Sequence, residues 1–283
     1  MAERWAVLGG DLVAEDEARV PALGGVLYGY GLFETMRAYG GRPFQLDAHY
    51  ERLLDGARTL GLDVPFDTAA LRRAVDGVLA RNFLNGVDAS VRLTLEGGPP
   101  PDGATTATAR WFVSARALTQ YPEALYERGA AASVAGVRRN ETSPLCRLKT
   151  LNYLDNLLAR RTALARGADE AILLNTRGMV AEGSASNVFI VRGRQLSTPP
   201  VEAGALPGIA RRTVLDLAPA LGLEPMEATF GLAELREAAE AFLTNSLIEV
   251  LPLTQLDGRP IGSGRPGPGA QQLRLAYRAL AEP

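Results

Sequence analysis

The chain has 283 residues, 47% of them apolar, with a net charge of −2. That length and apolar content suit one large or two ordinary globular domains, and the balanced charge excludes a general attraction to nucleic acid or anionic membrane. No apolar run reaches the roughly 18 to 20 residues that cross a bilayer, and a lone cysteine (Cys146) and a lone histidine (His49) exclude an internal disulfide and leave too few soft ligands for zinc. The start, Met-Ala-Glu-Arg-Trp, lacks the basic-then-apolar form of a signal peptide, so the expectation is a cytoplasmic protein with no resident metal.

Short strands and turns open the chain. Leu32 to Leu46 then alternates around Gly40-Gly41, the mark of a β-hairpin. Asp47 reads as an N-cap, followed by Leu53, Leu54, Ala57 and Leu60 at helical spacing and by Gly61, and a second amphipathic helix is predicted from Asp67 to Leu84. Ala89 to Leu95 and Ala107 to Ala115 alternate as strands around a Gly/Pro-rich loop at 97–103. Periodicity lapses over 118–129, which contains Tyr121-Pro122, so this stretch reads as a linker between an N-terminal α+β domain (1–117) and a C-terminal domain (130–283). The second domain begins with a strand near Ala131 and a helix at 152–166. Short strands follow at 170–175, 179–181, 187–191 and 195–197. Pro207-Gly208 opens a helix to about Leu221, 240–244 and 249–253 are strand-like, and 271–280 is a closing helix. The Gly/Pro run at 262–269 is a surface loop and no phosphate cradle, because its prolines remove backbone donors.

Of 30 lysines and arginines only Lys149 is a lysine. An arginine cannot serve as a nucleophilic amine, whereas a desolvated lysine can attack a carbonyl and form a Schiff base. Genome composition alone could leave one lysine, so its neighbours must decide. A Schiff-base lysine holding pyridoxal phosphate needs a group for the ring nitrogen, donors for the phosphate and a contact for the ring oxygen. Glu182, between two apolar segments, is a candidate for the nitrogen, or equally a solvated turn glutamate. Pro207-Gly208-Ile209-Ala210 opens a helix whose N-terminus attracts anions. Thr244-Asn245-Ser246 ends a strand and offers further donors, or simply a polar turn. Arg52 could clamp the phosphate, or lie on the surface.

These features occur in an order that resembles the class-IV (fold type IV) pyridoxal-phosphate enzymes, which include branched-chain aminotransferases, D-amino-acid aminotransferases and 4-amino-4-deoxychorismate lyases. The resemblance covers nearly the whole chain: Tyr28-Gly29-Tyr30-Gly31-Leu32-Phe33-Glu34-Thr35-Met36-Arg37, His49-x-x-Arg52-Leu53, Arg147-Leu148-Lys149 with Asn152-Tyr153, Glu182-Gly183 with Ser186-Asn187, Leu206-Pro207-Gly208-Ile209, and Thr244-Asn245-Ser246 with Glu249-Val250. It implies an α+β, two-domain fold with a smaller N-terminal domain, a larger C-terminal one and pyridoxal 5'-phosphate at the domain interface. Lys149 would form the Schiff base and shuttle the proton, Glu182 would hold the ring nitrogen, and Tyr153 would approach the ring hydroxyl. Arg52, Ile209, Thr244 and Asn245 would hold the phosphate, with Ser186, Asn187, Leu206, Gly208 and Ala210 as further cofactor contacts. Tyr28, Phe33, Thr35, Arg37 and Arg92 fall where family members line the substrate pocket. The family also implies a homodimer. Two positions depart from the pattern: Tyr30 stands where an aspartate is common, and Ala210 where threonine or valine often follows the isoleucine.

The finer resemblance points first to the lyase, which releases pyruvate and forms p-aminobenzoate for folate synthesis. Ser90 to Gly98 lacks the Arg-Gly strand end that resembles the D-amino-acid aminotransferases, and 244–252 with Arg138-Arg139-Asn140 looks like bacterial lyases. The alternative is an aminotransferase acting on branched-chain L-amino acids or D-amino acids. A non-catalytic binding protein on the same fold is the remote third reading, and it would be signalled by loss of Lys149 or Glu182. Both are present.

Overall fold

The computed structural model describes residues 4–19, 24–98, 106–118 and 121–281. The chain forms two compact units, one of residues 1–119 with 148–152, the other of 120–147 with 153–283. Lys149 thus belongs with the first unit, although it follows the boundary in sequence.

The first unit contains β1 (Trp5–Leu8), β2 (Asp11–Ala14), α1 (Gly24–Tyr28), β3 (Gly31–Tyr39), β4 (Arg42–Pro43), α2 (Leu46–Leu60), β5 (Leu62–Asp63), α3 (Thr68–Arg81), β6 (Ala89–Gly97) and β7 (Ala107–Ala117). Among the described residues its strands make one sheet in the order β2-β1-β7-β6-β3-β4, with β5 beside β7. Period-two alternation sorts β3 into two sets. Leu32, Met36 and Ala38 join Val91, Leu93 and Leu95 of β6 and the inner faces of α2 and α3 in the core. Phe33, Thr35 and Arg37 point the other way, in register with Thr94, Arg92 and Ser90. The predicted hairpin is present, its turn made by Gly40 and Gly41 at φ +53° and +85°. Asp47 is not the N-cap: helix α2 starts at Leu46 behind Gln45, which takes a left-handed φ of +55°, and Asp47 lies in the first turn paired with Arg72. Asp67 does cap its helix, accepting from the Ala70 N–H.

The second unit contains α4 (Glu123–Arg128), β8 (Ala130–Arg139), α5 (Leu154–Ala165), β9 (Glu170–Asn175), β10 (Val180–Gly183), β11 (Asn187–Arg192), β12 (Gln195–Thr198), α6 (Ile209–Leu217), β13 (Glu224–Glu227), α7 (Leu232–Arg236), β14 (Glu240–Asn245), β15 (Glu249–Leu256), β16 (Arg259–Pro260) and α8 (Pro268–Ala281). Its sheet runs β10-β9-β8-β15-β14-β11-β12-β13, with β16 on β15. Parallel pairs (β8 with β9 and β15, β12 with β13) mix with antiparallel ones. Ile172, Val188, Leu243 and Leu253 pack with Tyr126, Phe230 and Leu235 on one face, and small side chains let α5 approach the other through Ala159 and Ala163 against Ala171. The stretch read as a linker therefore carries a helix, α4, whose Tyr126 is anchored in this core and donates to the Ile248 carbonyl. Most of the 97–103 loop lies outside the described residues.

Candidate active site

In the first unit, 148–152 returns as an extra strip beside β3. The Phe33 N–H donates to the Lys149 carbonyl at 2.8 Å, and the Leu151 N–H to the Gly31 carbonyl at 2.9 Å. This pins the Lys149 backbone and sets its Nζ over the Phe33 ring, 4.5 Å from the centroid, with the Arg92 guanidinium 3.9 Å from the same centroid. Phe33, Thr35, Arg92 and Lys149 are thereby gathered on one face. Arg37, on the same side of β3, pairs with Asp88 at 2.5 Å and stacks over Tyr39. Tyr28 is 77% exposed, beside exposed Val26 and Leu27 on α1.

Arg52 is no loose surface arginine. Its Nε and Nη2 grip both oxygens of Glu34, at 2.9 and 2.6 Å, and His49 Nδ1 meets the same carboxylate at 2.6 Å. Glu34 lies on the core side of β3 and is 1% exposed, so it requires such partners. Burial alone would raise its carboxyl pKa; Arg52 and His49 more than offset this and hold it at about 2. Burial lowers the His49 imidazole below its ordinary value against the pull of Glu34, with Arg52 and Lys149 adding to the fall. His49 and Arg52 sit three residues apart on one face of α2, the spacing that makes them neighbours.

In the second unit the β9–β10 register shifts between Val180 and Glu182, the kind of break a β-bulge makes. Glu182 Oε2 accepts from the Leu206 N–H at 2.8 Å, and its Oε1 pairs with Arg139 at 3.1 Å. Leu206 therefore serves Glu182, and its carbonyl takes the Asn187 amide at 2.9 Å. A Cβ on Gly208 would meet Asn187 Oδ1 at 2.0 Å, so only glycine fits at the N-cap of α6. The first N–H groups of that helix, at Ile209 and Ala210, follow it directly and suit an anion. Thr244 Oγ1 is buried with no hydrogen-bond partner, an orphan that an incoming acceptor would satisfy.

Tyr153 and Asn156 both donate to the Ser184 carbonyl, at 3.0 and 2.8 Å. Burial, with Glu182 and Glu170 adding, pushes the Tyr153 phenol well above its usual range, so it stays protonated and able to donate. Ser186 gives its hydroxyl to Glu170, and Asn245 gives its amide to the Ala185 carbonyl while its Oδ1 caps the N–H groups of Leu247 and Ile248. These two side chains build loops. The sequence reading assigns no role to Glu34, Arg139, Asn156 or Glu170; a buried polar residue inside an apolar strand, such as Glu34 in Leu-Phe-Glu-Thr-Met, is the signal that marks the first. Among the described residues no group of three or more His, Cys, Asp or Glu could hold a metal, and no helix is long and apolar enough to cross a membrane.

Residues 31–256 match the family model of amino-transferase class IV. The chain belongs to that family. Class IV enzymes are pyridoxal-phosphate-dependent, and solved members carry the pyridoxal and pyridoxamine forms. A putative branched-chain-amino-acid aminotransferase of Methanocaldococcus jannaschii is 35% identical over 276 residues, 96% of this chain and 95% of that one. The aminodeoxychorismate lyase of Bacillus subtilis is 34% identical over 259 residues, 90% and 86% of the two chains. The branched-chain aminotransferase of Thermoproteus uzoniensis, solved with norvaline, superposes with a TM-score of 0.90 at 35% identity over 99% of this chain and 96% of that one.

Proposed function

We propose that this class IV enzyme is an aminotransferase of the branched-chain type. The observation that carries the reading is the likeness, over almost the full length, to branched-chain aminotransferases in both sequence and structure. It favours the transaminase over the lyase expected from the finer sequence resemblance, although a lyase stands among the relatives. Substrate choice in a shared fold lies in pocket shape, so the assay must decide between them.

Bound pyridoxal phosphate supplies an electron sink for the pair left when the substrate α-proton departs. Lys149 would hold the cofactor's carbonyl carbon through Nζ, and the same amine would move that proton. Glu182 would hold the ring nitrogen, Arg139 and the Leu206 N–H keeping its carboxylate aimed. Tyr153 would contact the ring oxygen. Arg52, anchored by Glu34, is a candidate to receive the phosphate from the first unit, and the Ile209 and Ala210 N–H groups and the Thr244 hydroxyl are candidates from the second. Asn245 joins them through its backbone, its side chain being spent on the turn. Phe33, Thr35 and Arg92 line the substrate side.

The working form is a homodimer. Leu154, Leu157, Leu158 and Leu164 make an exposed apolar stripe at helical spacing on α5, and Val26, Leu27 and Tyr28 a second patch on α1. Leu157→Glu should halve the mass seen by light scattering; an unchanged mass removes α5 from the interface.

The deciding assay supplies the cofactor-loaded enzyme with L-leucine, L-isoleucine or L-valine and 2-oxoglutarate, in parallel with D-alanine and with aminodeoxychorismate. Glutamate formation with the branched-chain donors is expected. Release of p-aminobenzoate with no amino transfer would reverse the choice.

A further inference from the structure

Arg139 ends β8 and spends its guanidinium on four segments of the second unit. Nη2 pairs with Glu182 Oε1 at 3.1 Å and donates to the Cys146 carbonyl at 2.7 Å, Nε reaches the Gly204 carbonyl at 3.3 Å, and Nη1 reaches Asn156 Oδ1 at 3.5 Å. Its side chain is 16% exposed. A planar fork of five fixed donors can serve several acceptors at once, which an ammonium cannot.

What those acceptors belong to gives the contact its meaning. Cys146 stands three residues before Lys149 in the chain, at the end of the short turn Pro144–Arg147. Gly204 stands four residues before Gly208. Gly204 has φ +97°, and a Cβ there would stand 3.4 Å from the Cβ of Arg139, so the loop passes close to this arginine. Asn156 shares the Ser184 carbonyl with Tyr153. The Tyr153 phenol and the Cys146 thiol, which also feel Glu182, are both raised by burial and stay neutral, whereas Arg139 pairs with that carboxylate as a cation.

We propose that Arg139 is a positioning residue for the cofactor: it sets the direction and proton affinity of Glu182 while fixing the loops that run to Lys149 and to the N-terminus of α6. The inference rests on the cofactor reading given above and adds a part to it. A carboxylate paired with a guanidinium gives up its proton more readily, so Arg139 governs how Glu182 shares a proton with the ring nitrogen. An arginine that only glued loops together would change stability and leave that proton alone.

The test titrates pyridoxal phosphate into apoprotein and follows the visible band of the bound cofactor against pH, in wild type, Arg139→Met, Arg139→Lys, Glu182→Gln and the double variant Arg139→Met with Glu182→Gln. Arg139→Met should bind the cofactor roughly tenfold more weakly, as loss of an outer-shell partner does at other ligand sites, and should shift the pH midpoint of the band. Arg139→Lys should keep the midpoint and lose affinity, and Arg139→Gln, which removes the charge but still hydrogen-bonds, carries the test if the methionine variant does not fold. The midpoint shift should vanish in the Glu182→Gln background. An unchanged midpoint in Arg139→Met, with or without a loss of affinity, overturns this inference alone. So does a shift that persists undiminished without the Glu182 carboxylate. A wild type that takes up no pyridoxal phosphate overturns the cofactor reading itself.

Discussion

Glu34 in the first unit and Glu182 in the second are both buried carboxylates gripped by an arginine, and the two grips are built differently. Glu34 is 1% exposed on the core side of β3, and its partners Arg52 and His49 come from the facing helix α2. Glu182 sits where the β9–β10 register shifts, and its partners are a strand-end arginine and one backbone N–H from a loop. The first arrangement is held by a packed helix–sheet contact and lies inside an apolar cluster, so its loss falls on folding. The second hangs on loops with other supports, so under the proposed function its loss should fall on chemistry more than on folding.

The largest effect expected is outside both grips. Lys149→Ala removes the only lysine and should lower turnover by about a thousandfold or more while abolishing the visible band of the bound cofactor. A variant that kept the band would place the attachment elsewhere.

Two substitutions set the grips against each other. Glu182→Gln should reduce kcat/KM by about a hundredfold, the scale of losing one preorganised electrostatic partner, with little change in melting temperature. Glu34→Gln should destabilise the protein by about 3 kcal/mol, read as a lowered denaturant midpoint, because Arg52 and His49 lose the charge they are packed around. If the two variants exchange effects, the distinction between core-held and loop-held pairs fails.

Acid titration sharpens the same contrast. The folded Glu34 carboxyl titrates at about 2, below its ordinary value of 4.5, so the unfolded chain binds more protons between those values. Stability from this group is complete above about pH 4.5 and is lost as pH falls toward 2, on the order of 3 kcal/mol in all. The lowered His49 acts in the same direction from its own ordinary value of 6.5 downward. Glu34→Gln should flatten the pH 2–5 limb of a melting-temperature profile, and an unflattened limb would assign acid lability to other carboxylates.

The smallest effect concerns the orphan hydroxyl. Thr244→Val keeps the shape and removes a buried group without a partner, so the apoprotein should melt no lower than wild type while cofactor affinity falls about tenfold. Equal affinity would take Thr244 out of the phosphate site.

Much of this was legible in the sequence because periodicity and punctuation are local. The hairpin around Gly40-Gly41, the Asp67 cap and the longer strands of both sheets follow from apolar patterning and turn residues. What was not legible depends on partners distant in the chain. Asp47 has the right chemistry for a cap, but the turn after the hairpin puts Gln45 there. β13 and α7 are too short to carry a period. Lys149, Glu182 and the Gly208 helix announce themselves by residue type. Glu34 and Arg139 act through side chains that meet them across 18 and 43 positions, and no spacing rule reaches that far.

The strip at 148–152 has a consequence for how the molecule is made. It belongs to the first unit but is translated after residues 120–147 of the second. On the ribosome the N-terminal sheet emerges without the strip that pairs with Gly31 and Phe33, and its rim stays unfinished until the chain has passed residue 152. Lys149 arrives with that last piece, so the nascent first unit gains its completed rim and its one lysine in a single event.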